Sequence, residues 1–149
     1  MTTRNYPKRC GKCGHKAMRL ATVPYATTIE HDGLAYRVEI PALTVPQCGN
    51  CQAIRIDDEA DHQISAAFRH EARLLAPEAI RQGRETLDLT QKQFANLLGV
   101  GEATVSRWET GAQIQQRVMD RFLRLCLAST AAVELMRNDF HTPRLADNL

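Results

Sequence analysis

The sequence predicts an α+β fold in two small parts: a cysteine-held β-ribbon with a helix at the N-terminus, then an all-α part of five helices. Three observations carry this. Two C-x-x-C pairs, Cys10-Gly-Lys-Cys13 and Cys48-Gly-Asn-Cys51, bracket a thirty-four-residue insert. That insert is rich in Thr, Val, Ile and Tyr and breaks at Asp32-Gly33, which is a hairpin signal. From Pro77 onward the pattern changes to short amphipathic runs with capping residues and glycine stops. The expected division is residues 1–76, residues 77–140, and a disordered tail over 141–149.

Composition bounds the function. With 149 residues, 44% hydrophobic and 24% charged, the chain has the makeup of a soluble protein with two small cores. It has no apolar run near the roughly 18 residues a spanning helix needs, so no membrane role is expected. The start Met-Thr-Thr-Arg-Asn-Tyr-Pro-Lys-Arg lacks an apolar secretory core, and a cytoplasmic location is expected. The net charge of +2 hides an uneven distribution. Residues 1–56 hold eight Lys/Arg against three Asp/Glu, whereas residues 57–76 hold two against five. A basic patch at the amino end can track phosphates or simply be a solvated face.

Five cysteines in a reducing compartment favour metal over disulfides. Two residues between thiolates let one tight turn aim both sulfurs at one ion, and glycines within or after each pair allow the φ > 0 geometry of such a turn. Cys10, Cys13, Cys48 and Cys51 therefore form a candidate four-thiolate site. One Zn²⁺ per chain is the expected occupant, and its closed shell makes the role structural. A single iron is the rival ion, and a thioredoxin-like redox pair is disfavoured by two matched knuckles. His15 is expected at the surface or behind the ligands, and Cys126 in a helix core.

Within the insert, Met18 to Glu30 and Leu34 to Val45 should pair as a ribbon, with Pro24, Pro41 and Pro46 at edges or bulges because each removes a ladder donor. Asp57-Asp58-Glu59 reads as a helix start, with acids where the dipole favours them. Ile64, Phe68 and Leu75 mark one face of that helix, which Ala76-Pro77 should end.

In the second part, helix one should run from Pro77 to about Leu87 with Ile80 and Leu87 inward. Thr90 should cap helix two, which stops at Gly99, and Gly99-Val100-Gly101 should turn into helix three, Glu102 to Glu109. Ala95 is small where helix three approaches, and Val100 is apolar inside the turn, as a helix-turn-helix requires. Ile114, Val118, Phe122 and Leu125 should pack the fourth helix. Ser129 or Thr130 should cap a fifth, whose Val133, Leu135, Met136 and Phe140 suggest self-association.

The residues Thr90-Gln91, Phe94-Ala95, Leu98-Gly99-Val100 and Val105-Ser106-Arg107-Trp108-Glu109-Thr110-Gly111 resemble the Cro/phage-repressor (XRE) helix-turn-helix family over residues 77–128. With the two knuckles and Thr22-Val23-Pro24-Tyr25, nearly the whole chain resembles the MqsA (YgiT-type) zinc-finger antitoxins. That resemblance implies the antitoxin of a type II toxin–antitoxin system, with a zinc-bound N-terminal domain that holds a toxin. It also implies an XRE-type C-terminal domain that dimerises and represses its own operon. A zinc-ribbon regulator of the same build without a toxin is the alternative.

On a helical wheel Val105, Trp108 and Gly101 point inward, leaving Ala103, Ser106, Arg107 and Thr110 outward as candidate groove-facing residues on double-stranded operator DNA. Among these, Arg107 has the multi-donor head suited to guanine. The resemblance places Gln91 on phosphate, and Lys92 is a further phosphate candidate. Arg84, on the inward stripe of helix one, should pair with Glu109. No P-loop, G-x-S-x-G or H-E-x-x-H occurs, so no enzyme is expected, while RNA binding through the basic ribbon is a third possible class.

Overall fold

The computed structural model describes residues 5–139, so the expectations for Phe140 and the tail 141–149 lie outside the described residues. The chain divides into two compact units between Arg73 and Leu74. The element order among the described residues is β1 (Met18–His31), β2 (Leu34–Cys48), α1 (Asp58–Glu71), α2 (Pro77–Thr86), α3 (Gln91–Leu98), α4 (Glu102–Thr110), α5 (Arg117–Ala128) and α6 (Thr130–Asp139). No helix among them is long and apolar enough to cross a membrane.

The first unit is a two-stranded antiparallel ribbon with α1 laid on one face. Its turn holds Asp32 at φ 50° and Gly33 at φ 74°, the paired positive angles that a tight hairpin needs. On β1 the odd residues Val23, Tyr25 and Ile29 face inward. On β2 the inward residues are Tyr36, Val38 and Ile40, then Leu43 and Val45. This change from even to odd is a bulge: Val23 pairs with Leu43 but Tyr25 pairs with Ile40, so Pro24 faces Pro41 and Ala42. The extra residue keeps one apolar face continuous past two prolines that cannot donate to the ladder.

Asp57 caps α1 by accepting from the Ala60 amide at 3.1 Å. Ala60 and Ile64 pack on Leu43 and Val45, and Phe68 meets the rings of His31 and Tyr36 edge-on at 5.2 and 5.4 Å. Gln63 pairs with both polar groups of the Thr44 backbone, at 3.1 and 3.2 Å, and so fastens α1 to β2. The helix ends at Glu71, short of the expected Ala76, and Leu75 does not continue its face. Leu75 instead packs in the core of the second unit, where its amide donates to Asp120 at 2.7 Å and its carbonyl accepts from Gln115 at 2.9 Å.

The second unit packs α2 to α6 around Ile80, Phe94, Ala95, Leu98, Val105, Trp108, Leu123, Cys126 and Val133. Thr90 and Gln93 close a reciprocal capping box on α3, with Thr90 Oγ1 accepting at 3.2 Å and Gln93 Oε1 at 2.9 Å. Gly99 ends that helix at φ 71°, a left-handed angle open to glycine at no steric cost. Thr90→Ala removes half of the box, and a loss of about 1 kcal/mol is expected in the denaturation of this unit. An unchanged midpoint would show that Gln93 alone holds the helix start.

The expected apolar stripe of α5 differs from the one that forms. Val118 and Leu125 are 67% and 57% exposed, while Asp120, Leu123 and Cys126 are buried. The helix is turned so that Asp120 reaches the Leu75 amide, Gln115 at 3.0 Å and Arg124 at 2.7 Å. On α6, Ser129 accepts from the Ala132 amide as a cap, Val133 is buried and Leu135 is 57% exposed.

Candidate metal centre and nucleic-acid interface

The four cysteines sit on two knuckles of the same build. Gly14 N–H donates to the Cys10 carbonyl at 2.9 Å, and Gln52 N–H donates to the Cys48 carbonyl at 2.9 Å. The Cys10 amide then donates to the His15 carbonyl at 2.8 Å, and the Cys48 amide to the Ala53 carbonyl at 2.9 Å. The left-handed residue of each turn is the one after the second cysteine, Gly14 at φ 76° and Gln52 at φ 58°, and not the interior Gly11 or Gly49. The glycine expectation was therefore right for Gly14 alone. Gly49 instead donates its amide to the Ala17 carbonyl at 2.9 Å, which ties the second knuckle to the chain after the first.

The four sulfurs lie within 4.8 Å of one another. Cys10 Sγ is 3.7 Å from Cys51 Sγ, and Cys13 Sγ is 3.6 Å from Cys48 Sγ. A tetrahedron with metal–sulfur bonds of about 2.3 Å has edges of about 3.8 Å, so the spacing fits a metal ion. The electrostatics agree. The His15 amide leads the groups that hold the Cys13 thiol down to about 5. The backbone at Cys13 and Lys12 also lowers Cys10. At Cys51 the Ala53 amide pulls the thiol down, but burial and the three other thiols outweigh it and push it up to about 11. Four thiolates at this spacing need a cation, and the site could hold one.

His15 lies outside the four-sulfur cluster. It is exposed, with Nδ1 3.2 Å from the Cys13 carbonyl and 3.3 Å from Asn50 Nδ2, and it bridges the rims of the two knuckles. Cys126 is buried, with its thiol 3.4 Å from Met136 Sδ. Lys8, Arg9, Lys12, Lys16 and Arg19 are all exposed, so the basic end of the sequence is a basic surface of this unit.

In the second unit Val105 and Trp108 are buried, while Ala103, Arg107 and Thr110 are exposed and Ser106 is half-buried. Thr110 Oγ1 donates back to the Ser106 carbonyl at 2.9 Å. Lys92 is exposed. The expected ion pair forms: Arg84 Nε and Nη2 donate to Glu109 at 2.6 and 3.0 Å. Two further bonds escaped the sequence reading. Arg84 Nη1 donates to the Leu89 carbonyl at 2.7 Å, and Gln91 Nε2 donates to Glu109 Oε2 at 2.8 Å. Gln91 and Glu109 lie eighteen residues apart, and no periodicity within a helix links them.

These features define the class: a unit with a four-cysteine cluster that could hold a metal ion, followed by a helical unit. A family model described as "Antitoxin component of bacterial toxin-antitoxin system, MqsA" matches residues 8–136. The chain belongs to the MqsA antitoxin family. No curated protein matches the chain.

Proposed function

We propose that the chain is the antitoxin of a type II toxin–antitoxin pair, and that it represses its own operon by binding palindromic duplex DNA as a dimer. Family membership supports the antitoxin role and implies a toxin partner. Residues 1–76 carry one structural Zn²⁺ on Cys10, Cys13, Cys48 and Cys51 and hold the toxin. Residues 77–140 bind DNA and dimerise in the cytoplasm, and residues 141–149 are a tail.

The observation that carries the DNA reading is the two-sidedness of α4, with Val105 and Trp108 buried and Ala103, Arg107 and Thr110 outward. In this XRE-type helix-turn-helix α4 enters the major groove. Ala103, Ser106, Arg107 and Thr110 then face base edges, and Gln91 and Lys92 face phosphate. Exposed Val118, Leu125 and Leu135 support self-association. A dimer sets two recognition helices about 34 Å apart, one turn of duplex.

Arg107→Ala tests the assignment. It is expected to lose about 1–3 kcal/mol on the duplex upstream of the chain's own reading frame and little on a scrambled duplex. Equal losses on both would make Arg107 a phosphate contact. A wild-type protein that shifts neither duplex, or stays monomeric in sedimentation on the operator, would end the repressor reading. Co-purification with the product of the adjacent reading frame tests the antitoxin role against a regulator without a toxin.

A further inference from the structure

One buried carboxylate joins three helices of the second unit. The Glu109 side chain, near the end of α4, accepts from Arg84 on α2 at 2.6 and 3.0 Å and from Gln91, the first residue of α3, at 2.8 Å. Arg84 is fixed in turn by the Leu89 carbonyl at 2.7 Å, so the carboxylate has little freedom to turn.

The chemistry of this contact fixes the orientation of an amide. An ionised carboxylate only accepts hydrogen bonds, so Gln91 must face it with nitrogen; its oxygen there would be repelled. The nitrogen keeps a second N–H, which has no partner among the described residues. A backbone phosphate also only accepts, so it can use that N–H and not the amide oxygen.

We propose that Glu109 is a positioning residue for DNA contact: its carboxylate, anchored by Arg84, locks the Gln91 amide with one N–H inward and leaves the other for a backbone phosphate. The proposal rests on the reading that the chain binds duplex DNA through α3 and α4. Its consequence runs against simple electrostatics. A negative charge beside DNA repels phosphate, so on charge alone Glu109→Gln should strengthen binding. Positioning requires the opposite sign, and only while Gln91 is present.

Four proteins test this: wild type, Gln91→Ala, Glu109→Gln and the double variant. Each is titrated with the duplex upstream of its own reading frame and with a scrambled duplex. Gln91→Ala and Glu109→Gln are each expected to weaken both duplexes about tenfold, the scale of one charge-assisted hydrogen bond. The double variant is expected to be no weaker than Gln91→Ala. A loss from Glu109→Gln that is the same in both backgrounds marks a loosened fold and overturns the proposal, as does any gain in affinity. Wild-type binding by Gln91→Ala overturns it too and leaves the repressor reading intact. Failure of the wild type to bind either duplex overturns both. Should Glu109→Gln not fold, the side-chain amide protons of Gln91 in the wild type decide: one shifted downfield supports the lock, and two at free-glutamine positions overturn it.

Discussion

Stripping the zinc proposed at the four cysteines is expected to unfold the ribbon unit and leave the helical unit standing. The first unit buries two small apolar groups and, beside them, Val38 and Phe68. Leu43, Val45, Ala60 and Ile64 form one, and Cys10, Met18 and Cys48 form the other, so candidate metal ligands make up most of the second. A core of that size contributes little by itself, whereas apparent binding energies of zinc in small domains reach about 10–16 kcal/mol. The core of the second unit draws on residues from Leu75 to Met136 and includes no metal ligand. A chelator at neutral pH should therefore erase the amide dispersion of the ribbon and of α1 while resonances of α2 to α6 persist. Cys48→Ser should do the same without a chelator, because Cys48 is fully buried and leaves three thiols where four are needed. Elemental analysis of the untreated protein should give one zinc per chain. Iron in its place would correct the ion, and an unchanged spectrum with four titratable free thiols would remove the metal from the folding of this unit.

Much of this was legible in the sequence because the signals are local. The C-x-x-C pairs, Asp57, Thr90 and Gly99 each act on backbone groups within five residues, and the knuckles and caps form where the spacing placed them. What was not legible depends on partners distant in sequence. Leu75 continues the apolar period of α1, but Asp120 and Gln115, some forty residues away, hold its backbone and assign it to the other unit. The same carboxylate misled the reading of α5. A hydrophobicity pattern turns Asp120 outward and Val118 inward, whereas a buried acid with three hydrogen-bond donors reverses the choice. The resemblance places Gln91 on phosphate, and nothing local to α3 signals its bond to Glu109, which forms where α3 and α4 pack together.

Glu109→Ala is expected to cost the second unit about 3–5 kcal/mol at neutral pH, because it leaves the buried Arg84 guanidinium with only the Leu89 carbonyl and the exposed Glu85 carboxylate, 3.7 Å away and screened by solvent. The side chains of Arg84 and Glu109 are 11% and 1% exposed, so the small values measured for solvated surface pairs do not apply. The loss comes mainly from the guanidinium left behind without its buried partner. Replacing both residues by apolar side chains of similar volume should recover most of the stability and, without the lock on Gln91, none of the DNA affinity. The pair also sets an acid limit. Burial alone would raise the Glu109 carboxyl, but the hydrogen bonds from Arg84 and Gln91 and the Arg84 charge hold it below its ordinary value of 4.5. A carboxyl depressed in the folded state binds its proton more readily when unfolded. Its contribution is therefore full above the ordinary value and disappears as pH falls through the folded one. Denaturation of wild type and Glu109→Gln should accordingly differ most at neutral pH and converge in acid below about pH 4, the range of an unperturbed carboxyl. A gap that stays constant from pH 7 to pH 3 would show that the ionisation of Glu109 is not the source of the difference.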